Sequence, residues 1–141
     1  MRVACLLPLF ALAACAASFQ SADGLKIRSA GAARFSPDGN RIAYTVTRND
    51  LPGRPMGQLF VLNLATGQTA GFSAGDETSG DPVWSPDGKW IAYADHNGLT
   101  IAHPDATAKK HIGPLEGTNS PLPTTGARVA WSPDSTHIAW V

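Results

Sequence analysis

The sequence predicts an all-β chain, a partial β-propeller of about two and a half four-stranded antiparallel blades behind a signal segment. Three observations carry this. The segments RFSPDGNRIAYT from Arg34, VWSPDGKWIAYA from Val83 and AWSPDSTHIAWV from Ala130 align, with serines at 36, 85 and 132. Their spacings, 49 and 47 residues, fall in the range of a propeller blade. The 14 glycines and 11 prolines sit mostly at regular turns rather than in one tract, as short strands require.

Residues 1–14 read as a signal peptide: Arg2 gives a positive start, and Val3 to Ala14 is apolar but short for a membrane span. The stretch Leu12-Ala13-Ala14-Cys15 resembles a bacterial lipobox, which makes Cys15 a candidate lipid anchor and membrane attachment. An ordinary secretory cleavage near Ala14 or Ala17 also fits. Either route exports the chain, to the periplasm or, as a lipoprotein, to the outer membrane or cell surface. Cys5 lies within the signal, so the exported part has no pair of cysteines to bridge and must be held by packing.

Residues 15–33 are a lead-in. Leu25 and Ile27 alternate with Lys26 and Arg28, which fits a short helix or an entry strand; the helix is the reading adopted. Blade one is assigned to 34–82. Phe35 ends a strand, and Ser36-Pro37-Asp38-Gly39 turns the chain: Pro presets φ, Asp bonds nearby amides, and Gly accepts positive φ. The next strand alternates Ile42, Tyr44 and Val46 on one face. Ala43 lies on the other, where a neighbouring blade presses close. QLFVLNL (58–64) is the third strand, ATGQ the turn, and TAGFS the fourth. Blade two, 83–129, repeats this with Trp84, the turn Ser85-Pro86-Asp87-Gly88, Ile91-Ala92-Tyr93, LTIAHP (99–104) and KHIGPL. A truncated blade three, 130–141, has Trp131, Ser132-Pro133-Asp134 and Ile138-Ala139-Trp140. Ser135 replaces the turn glycine; a left-handed non-glycine costs roughly 1–2 kcal/mol, so a turn that is looser or of another type is expected. Both faces of a meander are apolar, so each must be sandwiched between copies. Bare blade faces would forfeit roughly 1.5–3 kcal/mol per large side chain, which suggests the N-terminal portion of a longer protein.

Basic and acidic residues balance at 11 each, and Lys109-Lys110 is the lone adjacent basic pair, which argues against a nucleic-acid partner. GFSAG (71–75) spells the string of a serine nucleophile elbow around Ser73. An elbow needs a strand, a sharp turn and a helix, and AGDETSGDPVWSPDG offers no helix. No catalytic residue is therefore assigned. His96, His103, His111 and His137 lack metal-ligand spacing, so no metal or other cofactor is assigned, and His103 fits a strand end. Asp38, Asp87 and Asp134 read as turn-stabilising rather than ligand-binding, because the turns miss the spacing of the sialidase Asp-box. Three tryptophans occupy repeat positions and read as core; Trp90 stands where Arg41 and His137 stand and is the more exposed one, able to stack on a sugar or a peptide. The long loop 48–57 offers Arg48, Asp50 and Arg54 as contacts to a peptide or another domain, against the plainer reading of a solvated loop.

The SPDG-x-x-IAY copies look like the WD-like blades of two kinds of exported bacterial protein, the prolyl oligopeptidase and dipeptidyl-peptidase IV-like serine peptidases and the TolB propeller. LKIRSAGAARFSPDGNRIAYTVTRNDLPGRPMGQLFVLNLATGQ (25–68) and PLEGTNSPLPTTGARVAWSPDS (114–135) resemble the peptidase group more closely. That resemblance implies a propeller gating peptide substrates toward a C-terminal hydrolase domain absent from this chain. This chain would then be non-catalytic and its parent a serine peptidase. Such peptidases also hold substrate amines with acidic propeller residues; Glu77 and Glu116 stand alone and are not assigned. The TolB alternative implies a periplasmic protein-binding scaffold without catalysis, and a lipid-anchored surface propeller binding glycan or peptide is a third possibility.

Overall fold

The computed structural model describes residues 21–50, 55–75, 77–115 and 128–141. After a short 3-10 helix, Ser21–Lys26, come β1 (Ser29–Phe35), β2 (Arg41–Arg48), β3 (Met56–Asn63) and β4 (Thr69–Gly71). These form one antiparallel sheet in the order β1-β2-β3-β4. A second sheet has β5 (Ser79–Trp84), β6 (Ile91–Asp95), β7 (Gly98–Ala102) and β8 (Lys110–Gly113) in the same order. A hairpin follows, of β9 (Val129–Trp131) and β10 (Ile138–Trp140). The chain is thus all-β, a partial propeller of stacked meanders. The helix adopted for the lead-in is confined to one 3-10 stretch, and β1 already begins at Ser29, because residues 29–31 pair with 45–47 of β2.

Both first strands carry a bulge at the same place. The register slips between Gly31 and Arg34 in β1, and between Gly80 and Val83 in β5. Ala32 and Asp81 take positive φ there, 46° and 51°. An extra residue bends and twists a strand, so the two sheets share one curvature and stack.

The stacking follows the period-two pattern. Ile91 and Tyr93 join Ala43, Leu59, Val61, Phe72 and Ala102 in a core between the two sheets. Ala92, on the opposite face of β6, packs with Leu99 and Val129 against the hairpin. Alternation thus buries both faces of the second sheet. Ala43 and Ala92 are buried, whereas the corresponding Ala139 is exposed, because nothing covers the far face of the hairpin among the described residues. The same reasoning explains β1, which is exposed along its length.

Sheet-to-sheet polar contacts also repeat. The Trp84 indole donates to the Arg34 carbonyl at 3.1 Å, and the Trp131 indole to the Val83 carbonyl at 3.2 Å. Arg34 and Val83 each precede the aromatic residue of their own sheet, so one bond is made twice by translation along the stack. Phe35, in the equivalent place of the first sheet, has no side-chain N–H to donate and is 65% exposed. Trp140 also departs from a core reading: it is exposed, and its indole donates to the Pro114 carbonyl at 3.3 Å.

Ser135 corrects the expectation of a looser third turn. Its φ is 60°, close to 71° at Gly39 and 69° at Gly88, and its N–H bonds the Ser132 carbonyl at 2.9 Å as theirs bond Ser36 and Ser85. The compensation comes from the neighbouring sheet: the Asp87 N–H donates to Ser135 Oγ at 3.0 Å. Ser135→Ala keeps the backbone strain and loses this bond, and should cost about 0.5–1 kcal/mol in urea unfolding. Ser135→Gly loses the bond but relieves the strain, and should lie within about 0.5 kcal/mol of the parent or above it. Equal losses in the two variants would refute the compensation.

Candidate functional site

Concavities lie at both ends of the stack among the described residues. The first lies at the end carrying the Ser-Pro-Asp turns. Each turn is a small network. Ser36 Oγ donates to Asp38 Oδ1 at 2.5 Å and accepts the Arg41 N–H at 2.9 Å, while Asp38 Oδ1 accepts the Asn40 N–H at 3.1 Å. Ser85 with Asp87, Lys89 and Trp90 repeats this, and so does Ser132 with Asp134, Thr136 and His137. Of the prolines between them, Pro37 meets the second sheet, its Cδ lying 3.6 Å from where a Cβ on Gly88 would stand. The serine hydroxyl first, then the Asn40 amides, hold the Asp38 carboxyl down at about 2. Ser132 and then Thr136 do the same for Asp134, also about 2, and Ser85 leads the lowering of Asp87.

These bonds favour the carboxylate in the folded chain, while in the unfolded chain it titrates near 3.8. The stability they contribute is complete above about pH 4 and drains away as the pH falls toward about 2. A urea midpoint that declines between those values, less steeply in Ser36→Ala, is the expected result. A midpoint flat through that interval would contradict it.

Between the turns of the two four-stranded sheets runs a groove of about 690 Å³. Val61, Gln68 and Ala70 line its first-sheet wall, Trp90, His103 and Pro104 its second-sheet wall. Trp90 is half-buried and meets His103 edge to face at 4.2 Å. His103 stands just past the end of β7. Arg41 and Gln68 were not singled out from sequence. Each flanks a turn, and only the approach of two turns makes them neighbours of Trp90.

The second concavity, about 280 Å³ at the opposite end, gathers Ser73, Glu77, Asp95, His96, Lys109 and His111 among its walls. Side chains of a hydrolytic triad are thus brought into one pocket, but not into contact. Ser79 Oγ donates to Ser73 Oγ at 3.1 Å and itself accepts the Leu59 N–H at 2.8 Å. Among the described residues, no histidine or carboxylate bonds the Ser73 hydroxyl. His96 contacts the Asn97 amide at 2.9 Å, and Asp95 accepts from Thr100 at 2.7 Å. Among the described residues no helix follows Ser73 before β5 begins at Ser79. A hydroxyl held by another neutral hydroxyl has no base to take its proton. Burial first, then Asp95 and Glu77, push the Tyr93 phenol up to about 12, so it stays neutral and donates rather than abstracts a proton.

The remaining sequence candidates are placed as follows. Arg48 grips Asp50 through Nε and Nη2, both at 3.0 Å, and Arg28 approaches the same carboxylate at 3.9 Å. The pair raises Arg48 and lowers Asp50, so each is engaged with the other. Arg54, Glu116, Cys15 and the whole signal segment lie outside the described residues. Among the described residues no group of three or more His, Cys, Asp or Glu is arranged to hold a metal ion.

No family model matches the chain. Over 111 residues it is 30% identical to the uncharacterized peptidase YuxL of Bacillus subtilis, covering 74% of this chain and 16% of that protein. Its fold is similar to that of Pyrococcus horikoshii acylaminoacyl peptidase, with a TM-score of 0.61 and 22% identity over 81% of this chain and 17% of the other. The chain therefore spans about a sixth of the length of either protein. It is a partial β-propeller with sequence similarity to one stretch of a much longer peptidase.

Proposed function

We propose that this chain is the N-terminal propeller portion of an exported prolyl oligopeptidase-type serine peptidase, and that it gates peptide access to a hydrolase domain outside these residues. The observation that carries the reading is the 30% identity over 111 residues to a protein named a peptidase. Two features support it. The length of that relative leaves ample room for a catalytic domain. Ser73, the one serine here with an elbow-like sequence, has no activating base beside it among the described residues. Arg2 and the apolar run after it support export, and Cys15 supports a lipid anchor, which mass spectrometry of the membrane fraction would detect.

In this reading the stacked blades wall a chamber, and selection is steric. A short peptide enters; a folded protein does not. The test has two parts. This chain alone should not hydrolyse prolyl or alanyl dipeptide substrates. A product read beyond Val141 should contain a strand–Ser–helix elbow and cleave short peptides, and should attack larger substrates once residues 34–129 are deleted. Turnover by this chain that Ser73→Ala abolishes would overturn the assignment. A longer frame holding only more repeats would favour the TolB-like scaffold instead.

A further inference from the structure

The stack carries the two halves of one interface, each bare among the described residues. Inside the chain the same interface is already made. Trp84, Ile91 and Tyr93 belong to the near face of the second sheet, which packs on Ala43, Leu59, Val61 and Phe72 of the first. The far face of the second sheet, with Val83 and Ala92, meets Val129, Trp131 and Ile138 of the hairpin. Each time, a face built on an aromatic residue and an isoleucine receives a face that carries an alanine.

Strand register identifies the two faces left over. Phe35 pairs with Ile42, as Trp84 does with Ile91 and Trp131 with Ile138. Phe35, Ile42 and Tyr44 are therefore the near face of the first sheet. Phe60 and Leu62, opposite Tyr44 and Ile42, extend it, and Phe60 stacks on Tyr44 at 5.8 Å. Phe35 is exposed and the other four are half-buried, whereas the corresponding Ile91 and Tyr93 are buried. At the other end Ala130 pairs with Ala139, as Arg34 does with Ala43 and Val83 with Ala92. Both hairpin alanines are exposed, whereas Ala43 and Ala92 are buried. A membrane or a loose apolar segment would use the aromatic face but has no use for the alanine face.

The stacking operation repeats from sheet to sheet, with the same indole-to-carbonyl bond at each step. Applied once more beyond the hairpin, it sets an aromatic face on Ala130 and Ala139, and the first sheet of another copy has such a face. We propose that a second copy of this chain docks there head to tail, its Phe35–Ile42–Tyr44 face on the Ala130–Ala139 face of the first. A contact between two different faces builds a ring if the rotation closes and an open array if it does not. The hairpin offers only two strands to it, so the contact is weak. Phe35 also brings no side-chain N–H to the Ala130 carbonyl, the place where Arg34 and Val83 receive Trp84 and Trp131. The proposal rests on the repeat stack and not on the parent being a peptidase. Repeats from outside these residues would compete for both faces, so the test uses this chain alone.

Sedimentation equilibrium of the full chain should show association with a dissociation constant of about 100 µM. Phe35→Arg blocks one face and Ala139→Arg the other. Both residues are exposed, so neither change should move the urea midpoint of dilute protein. Each alone should weaken association about tenfold or more, since it buries an unpaired charge. The double variant reports what the apolar segment 3–14 contributes by itself. Mixed together, the two single variants should form a pair that grows no further, because each keeps the face the other lacks. Phe35→Trp should tighten association about fivefold, its indole donating to the neighbour's Ala130 carbonyl. That variant carries the test even if a blocking one misfolds. The proposal is overturned if the chain stays monomeric to about 1 mM, whether or not its Phe35 face binds phosphatidylcholine vesicles instead. It is equally overturned if the double variant associates like the parent. Dissociation by Phe35→Arg but not by Ala139→Arg would mean that like faces meet, and would also overturn it.

Discussion

Leu59→Ala is expected to destabilise the chain by about 3 kcal/mol, the larger of two strong single-site effects. Leu59 has no exposed surface and belongs to the core between the two four-stranded sheets. Its side chain comes from the middle of β3, where it pairs with Thr45. Its backbone is held from three sides. The N–H goes to Ser79 Oγ at 2.8 Å, the carbonyl accepts the Phe72 N–H at 2.9 Å, and strand pairing holds the rest. A backbone so restrained cannot collapse into the space a truncation leaves, so the cavity term adds to the lost transfer energy. The lost side chain also faces the other sheet, so the variant weakens the stack and not merely one meander. Urea unfolding followed by tryptophan fluorescence measures the change, and Leu59→Met should lose less than about 1.5 kcal/mol. A loss under about 1 kcal/mol in Leu59→Ala would mean that the sheets do not pack through this residue.

Gly98→Ala should cost nearly as much, about 3 kcal/mol, for a different reason. Gly98 opens β7 at φ 127°, and an added Cβ would collide with the Gly113 carbonyl oxygen. It would also lie 2.7 Å from Pro114 Cα and 2.9 Å from Leu115 N. All three obstacles are backbone, so no side chain can rotate away. Relief requires β8 and the residues after it to move off the sheet, beside the fully buried Leu99. Gly67 is the control, with φ 70° and open space where its Cβ would go. Gly67→Ala should cost only about 1 kcal/mol, the conformational part alone. Similar losses at the two positions would show that φ matters and the close approach does not.

Phe35 and Trp84 show where sequence reading stops. They align, end corresponding strands and precede the same turn, and the sequence places them identically. In the fold one is exposed and the other donates a hydrogen bond across to the first sheet. Burial depends on whether a neighbouring sheet is present, and alignment carries no such information. The turns are the opposite case. Every bond in the Ser36–Arg41 network spans five residues or fewer, so local chemistry determines it and the sequence displays it. Ser135 lies between the two. Its departure from glycine was visible, but the Asp87 N–H that compensates for it is 48 residues away.

Trp90 was read as the exposed tryptophan because it breaks the repeat, but in the fold it is half-buried against His103 and Trp140 is the exposed one. Arg41 and Gln68 were not legible as its neighbours in a groove, because their positions within a blade are ordinary. Ser73 carried the loudest motif and has the plainest surroundings, a hydrogen bond from Ser79. The string required only small residues in a loop, whereas the chemistry required a base, and none among the described residues bonds its hydroxyl.

By itself the sequence determined the all-β class, the meander repeat and the turn chemistry, since period-two alternation and Ser-Pro-Asp turns act over a few residues. Tertiary structure alone decided which faces are buried, how Ser135 is tolerated, and which side chains of the two sheets meet around the groove. Those outcomes depend on how one sheet lies against the next, a relation between residues nearly fifty positions apart that no local pattern encodes.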